Sequence, residues 1–254
     1  DIMRKTKIVC TLGPACGSEA VLSQMIEEGM DVARLNFSHG THDEHLSRIN
    51  QIKKLRDERK TPIGIMLDTK GPEIRTGDFE NGAIEVVKDQ EITVTARDII
   101  GNDKTIKVNY KNIAIDLKTD DIILIDDGLI ELTVKQVVND TDLLCIVNNG
   151  GTIKNKKGVN IPDVKVNLPS LTDQDIKDIV FGIKHDIDFI AASFMRKADD
   201  VIEIRKLLEA NNAENIQIIS KIENRQGVDN IDEIIKVSDG IMVARGDLGV
   251  EIPA

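Results

Sequence analysis

A chain of 254 residues, 41% hydrophobic and 30% charged, is long enough for one large α/β domain or two smaller ones, and its composition is that of a soluble globular protein. The net charge of −11 argues against nucleic-acid or membrane binding as the main role, because both need a basic face. An acidic substrate would have to be met by local Lys, Arg or metal. The three cysteines, Cys10, Cys16 and Cys145, fit neither a disulfide framework nor a zinc site. With no signal peptide and no apolar run of about 18 residues, the cytoplasm is the expected compartment. Met3 reads as the natural start, with Asp1 and Ile2 as an addition.

Apolar runs recur with helical stretches between them. Lys7–Gly13 reads as a first strand. Ser18 looks like the N-cap of a helix with Val21, Leu22, Met25 and Ile26 on one face and Gly29 at its stop. Asp31–Ser38 is a second strand, and Leu46, Ile49, Ile52 and Leu55 mark the next helix. His42 and His45 fall at that helix's start and read as exposed. Ile63–Thr69 is a third strand.

From about 71 to 167 the period is mostly two. Strands are predicted at Ile84–Val87, Glu91–Thr95, Thr105–Tyr110, Asp121–Ile125 and Leu129–Val134, separated by turn residues. This block reads as an inserted all-β domain. The earlier rhythm resumes at Thr172, which with Asp175 makes a capping box. That helix should bury Ile176, Ile179, Val180 and Ile183. Strand four is Asp188–Phe194, followed by a helix with Val201, Ile204, Leu207 and Leu208. Strand five is Gln217–Glu223, and a helix with Ile231, Ile234 and Ile235 leads to strand six at Gly240–Arg245.

Six such repeats predict an α/β fold, a (β/α)8 TIM-type barrel with six of eight βα units present and an all-β lid inserted after strand 3. The barrel would span 1–70 and 168–254, and the lid 71–167. An open six-stranded sheet leaves two raw edges, so the chain is expected to be part of a longer protein. The alternative is an open doubly wound sheet, against which no Gly-rich phosphate loop follows the first strand.

The chemistry gathers at predicted strand ends. Lys221 and Glu223 lie two apart, so on a strand they share a face, and Asp247 follows the end of the next strand. Two carboxylates and an ammonium there suit a divalent metal and an anionic substrate. Lys221 could equally pair with Glu223, and Asp247 could be an N-cap. Gly246 would let backbone approach a ligand. Arg34, Asn36 and Ser38 share one parity, opposite Ala33, Leu35 and Phe37. Such polar groups on a buried strand need partners. Either Arg34 pairs with a carboxylate such as Asp68, or it grips an anion while Asn36 and Ser38 offer oxygens to a cation. The loop Leu67–Gly77 is either a solvated hinge or a site in which Asp68 and Thr69 bind a cation and Arg75 a phosphate. Lys154, Lys156 and Lys157 form a small basic patch. No P-loop, Gly-x-Ser-x-Gly or His-Glu-x-x-His motif occurs, and His39 is the one histidine inside a candidate site, so hydrolysis by a histidine base is not favoured; cations facing anions suggest phosphoryl transfer or enolate stabilisation instead.

The motifs Thr11–Pro14, Ala33–Gly40, Leu67–Gly77, Lys156–Asn160, Ser220–Asn224 and Met242–Gly249 together resemble pyruvate kinase, in a bacterial form, over roughly the first half of that family's chain. The resemblance implies transfer of the phosphoryl group of phosphoenolpyruvate to ADP, giving pyruvate and ATP. It implies that Glu223 and Asp247 hold Mg²⁺ or Mn²⁺, and that Asn36, Ser38, Asp68 and Thr69 hold K⁺, with Glu73 accompanying K⁺ dependence. Lys221 would neutralise the phosphoryl group in flight and Arg34 would contact the substrate phosphate, with Ser193, Gly246 and Asp247 also beside the substrate. Pro14, Asn36, His39, Arg75 and Lys157 would form the nucleotide side, where a second Mg²⁺ rides on ADP. The family's lid swings over the barrel mouth, and its full-length form is a homotetramer. The threonine that helps protonate the enolate lies outside the matching half, so residues 1–254 alone are expected to be inactive. A metal-dependent pyruvate aldolase would share Glu223 and Asp247 but would not need Arg75, Lys157 or K⁺. A non-catalytic barrel remnant would need none of these groups.

Overall fold

The computed structural model describes residues 4–253, so the reading of Met3 as the start lies outside it, as does Ala254. The chain opens with β1 (Val9–Thr11), a 3-10 turn at Pro14–Cys16, α1 (Glu19–Glu27), β2 (Val32–Asn36), α2 (His42–Arg59) and β3 (Gly64–Asp68). Ser18 caps α1 by accepting from the Val21 N–H at 3.3 Å. Gly29, at φ +114°, ends that helix. A capping box starts α2: Glu44 N–H donates to Thr41 Oγ1 (3.3 Å) and Thr41 N–H to Glu44 Oε2 (2.7 Å).

One expectation fails on α2. His45 is not exposed; it is 2% accessible. The buried residues are His45, Ile49, Ile52 and Leu55. His45 stands four before Ile49, so helical geometry puts it on the core stripe, while Leu46 lies beside that stripe and is half-buried.

The insertion holds β4 (Ala83–Val86), β5 (Glu91–Thr95), β6 (Thr105–Lys107), α3 (Ile113–Asp116), β7 (Ile122–Ile125), β8 (Ile130–Val137), β9 (Asp142–Val147), β10 (Gly151–Lys154) and β11 (Val159–Asn160). β4 pairs with β10, and the rest form a six-stranded sheet in the order β11-β7-β8-β9-β5-β6. Their inward residues make a core of their own, running from Ile74 to Ile161. The strands β9, β10 and β11 lie outside the predicted set, and β9 is the longest of them. The Leu-Leu-Cys-Ile-Val run of β9 has no polar alternation, although burial alternates along it.

Then follow α4 (Asp173–Lys184), β12 (Phe189–Ala192), α5 (Ala198–Ala210), β13 (Gln217–Ile222), α6 (Arg225–Asp229), α7 (Ile231–Val237), β14 (Gly240–Val243) and α8 (Arg245–Glu251). The second sheet of six runs β1-β2-β3-β12-β13-β14, with parallel pairs from β1 through β13. Each strand lies next to its predecessor with no reversal. That is the winding of a barrel; a doubly wound sheet reverses at a switch point. Two details differ from expectation. On α4 the buried face is Asp175, Asp178, Ile179 and Gly182, while Ile176 and Val180 are exposed. The last strand stops at Val243, so Arg245, Gly246 and Asp247 are helical.

The chain divides into two compact units. One comprises 4–71, Ser170–Ile222 and Asn230–Met242, and the other Pro72–Pro169, Glu223–Asp229 and 243–253.

Candidate functional site

In the first unit a charge network sits at the carboxyl ends of the parallel strands. Asp68, the last residue of β3, is 1% exposed. Its Oδ2 accepts from Arg34 Nε at 2.6 Å and lies 2.6 Å from the second guanidinium nitrogen. Its Oδ1 accepts from Lys221 Nζ at 3.0 Å and from Ser193 Oγ at 3.2 Å. Each carboxylate oxygen thus serves one cation. Arg34 also donates to Thr11 Oγ1 (2.6 Å), and Lys221 Nζ to Ser193 Oγ (3.1 Å). Ser193 Oγ reaches the Thr69 carbonyl at 2.6 Å, and Thr69 Oγ1 accepts from the Ser193 N–H at 3.0 Å.

So Arg34, Asp68, Thr69, Ser193 and Lys221 come together from four strands of one sheet, although the sequence pointed to Glu223 and Asp247, not Asp68 and Ser193, as the neighbours of Lys221. The Arg34–Asp68 ion pair, one of the two readings of Arg34, is present. A buried carboxylate that lost both cations would be strongly unfavourable.

Backbone shape at this site depends on Gly71, buried at φ +76°. A Cβ there would stand 2.7 Å from Ser193 Cβ and 2.7 Å from the Phe194 ring. Its N–H donates to Asp175 Oδ1 at 3.1 Å. Asp175 was foreseen as half of a capping box, and its Oδ2 does accept from the Thr172 N–H (3.1 Å). Its second oxygen, on Gly71, had no signal in the sequence.

The loop after β2 carries oxygen donors. Asn36 faces Asp68 in the register of β2 and β3, and the Phe37 N–H bonds the Asp68 carbonyl (2.9 Å). The Ser38 N–H bonds Asn36 Oδ1 at 3.0 Å. Asn36, Ser38, Asp68 and Thr69 therefore derive from two adjacent strand ends and supply hard oxygens, a donor set that suits K⁺. Asp68 would share its oxygens with Arg34 and Lys221. His39 is exposed after this loop's turn, and Pro14 is exposed in the 3-10 turn.

In the second unit Glu223 is 1% exposed, whereas Asp247 is exposed in the first turn of α8. Asp247 is not the N-cap, which is Ala244. A Cβ on Gly246 would meet nothing within 4 Å, so close packing does not explain that glycine. Two carboxylates are hard donors suited to Mg²⁺. Among the described residues no group of three or more His, Cys, Asp or Glu forms a metal cluster. The remaining ligands would have to be substrate or water oxygens. Arg75 and Lys157 are brought together. Arg75 bridges to Gly158 across the strands, and its side chain pairs with Glu73 (2.6 Å) and the Lys156 carbonyl (2.7 Å). Lys157 lies 3.6 Å from Asp126.

The pyruvate kinase barrel-domain model matches residues 3–254. A pyruvate kinase of Staphylococcus haemolyticus is 54% identical over 252 residues, covering 99% of this chain and 43% of its own length. One of Sporosarcina psychrophila is 56% identical over 253 residues with the same coverage. A solved pyruvate kinase from Cryptosporidium parvum matches with a TM-score of 0.93 at 43% identity, over 98% of this chain and 52% of that one. The chain spans under half the length of these curated relatives.

Proposed function

This chain belongs to the pyruvate kinase family, and from that premise we propose that the full-length protein transfers the phosphoryl group of phosphoenolpyruvate to ADP, giving pyruvate and ATP. One observation carries the reading: a buried carboxylate holds two cations, Arg34 and Lys221, at the ends of parallel strands. Phosphoryl transfer asks a protein for positioning and charge neutralisation more than for covalent chemistry. Asp68 fixes both cations before substrate arrives, so little reorganisation is left for the reaction itself. Arg34 grips the substrate phosphate, and Lys221 follows the phosphoryl group as it leaves the enolate oxygen. Ser193 orients the Lys221 ammonium, and Gly246 and Asp247 also lie at the substrate.

Glu223 and Asp247 would hold Mg²⁺ or Mn²⁺, and Asn36, Ser38, Asp68 and Thr69 would hold K⁺. When bound, these ions supply positive charge against the substrate's oxygens. Pro14, Asn36, His39, Arg75 and Lys157 form the nucleotide side, where Glu73 steadies Arg75. Residues 1–254 by themselves are proposed to be inactive, and the full-length protein to be a cytoplasmic homotetramer. Among the described residues no helix is long and apolar enough to cross a membrane.

The test is Lys221→Met in the full-length protein. ATP formation from phosphoenolpyruvate and ADP should fall by at least about 10²–10³-fold, by analogy with loss of one preorganised donor. Mn²⁺ binding, followed by water-proton relaxation, should persist. Near-normal turnover by the variant would overturn the assignment.

A further inference from the structure

Three of the chain's four histidines, His42, His45 and His185, gather with Phe37 and Phe181 in one aromatic cluster in the first unit. Within it, His45 has the geometry that reaches the candidate site. Its ring stacks on Phe37, with centroids 4.0 Å apart and planes 13° apart. Its Nε2 lies 2.8 Å from the carbonyl oxygen of His39. A carbonyl can only accept, so Nε2 carries the proton. We propose that His45 is a positioning residue, which through this bond sets the shape of the Asn36–Thr41 loop and thereby the placement of Asn36, Ser38 and His39. The proposal rests on the reading of that loop as the K⁺ and nucleotide side.

The loop has few other ties. At its start the Phe37 N–H bonds the Asp68 carbonyl at 2.9 Å, the Ser38 N–H bonds Asn36 Oδ1, and the His39 N–H bonds the Asn36 carbonyl at 3.3 Å. At its end Thr41 enters the capping box of α2. Between these, Gly40 stands at φ +79°, and a Cβ there would come within 3.2 Å of His45 Nε2. His45 therefore joins the middle of the loop to a buried helix face.

A simpler role, packing alone, accounts less well for a histidine here. Its Nδ1 is buried with no hydrogen-bond partner. Such an orphan costs about 1–3 kcal/mol. A phenylalanine would fill the same stack without that cost. What the histidine adds is the Nε2–H donor. Burial also lowers the ring's pKa, with the His39 bond opposing, so a neutral ring with one proton on Nε2 is the favoured form.

Two variants of the full-length protein separate the roles. His45→Phe keeps a stacking ring and removes the donor; His45→Gln removes the ring and offers an amide N–H in its place. Loss of one hydrogen bond is worth about 3–10-fold. His45→Phe should therefore raise KM for ADP and the half-saturating K⁺ concentration by that factor, with KM for phosphoenolpyruvate within about twofold. His45→Gln should restore both to within about twofold. Unchanged ADP and K⁺ dependence in the Phe variant would overturn the proposal, as would equal impairment of both variants. ¹⁵N shifts of the wild-type His45 ring give a reading that needs no variant to fold. A ring protonated on Nε2 at pH 7 is expected, and an Nδ1–H tautomer with a bare Nε2 would refute it. A wild-type protein that makes no ATP from phosphoenolpyruvate would sink the functional reading instead, and the ¹⁵N result would still judge the His45 bond.

Discussion

At Gly71 a single missing methyl group governs the site. The residue sits in the left-handed region and against Ser193, whose hydroxyl bonds both Asp68 and Lys221. Gly71→Ala should cost about 1–3 kcal/mol from the φ alone. It should also lower activity, because Ser193 must move to admit the new Cβ. A urea melt together with kinetics checks this, and unchanged stability would show that the turn tolerates a side chain. At the same scale, the polar parity of Arg34, Asn36 and Ser38 was legible in the sequence. Ala33 and Leu35 are buried on the other face, as two-residue alternation requires. His45 was not legible, because nothing in its residue type distinguishes a core histidine from a solvated one.

Among elements, the β5–β9 pair of the insertion has a pH-sensitive joint. Asp142, at the start of β9, accepts from Thr95 Oγ1 (2.6 Å), Arg97 Nε (3.0 Å) and Thr141 Oγ1 (3.0 Å). Burial pushes its carboxyl up, but the hydrogen bonds from Arg97, Thr95 and Thr141 together outweigh it and hold the pKa below its ordinary 3.8. A group depressed in the folded state stabilises fully above its unfolded value. That contribution fades as pH falls from near 3.8 through the lower folded value. Asp142→Asn should therefore cost about 1 kcal/mol at pH 7 and progressively less below pH ~4. Urea midpoints at the two pH values decide it, and a gap that persists in acid would contradict the account. Cap signals such as Ser18 and Thr172 were readable because they act over three residues. The buried face of α4 was not readable, since Asp175 and Asp178 go inward on the strength of distant partners, Gly71 and His42.

For the molecule as a whole, the insertion has a hydrophobic core made of its own residues, with Leu132, Val134, Leu143, Cys145 and Val147 fully buried on β8 and β9. About 100 residues with such a core are enough to fold alone. Residues 72–169, expressed by themselves, should give a β-rich circular dichroism spectrum and one cooperative melt. A broad, non-cooperative loss of signal would mean that the unit depends on the rest of the chain. Burial also pushes the Cys145 thiol up to about 12, which fits a closed core.

Sequence alone settled the main periodicities, though not β9 or the buried face of α4. The switch from a period of 3.6 to two and back located the insertion, and six short motifs gave the family, because these signals depend on neighbours a few residues apart. Tertiary structure decided the pairings. Asp68 chose Arg34, 34 positions away, and Lys221, 153 positions away, only once β2, β3, β12 and β13 were assembled in one sheet. His45 found the His39 carbonyl only once the chain had turned back onto α2. Which charged or polar group meets which is fixed by strand register and chain reversal, and neither is written in the residues nearby.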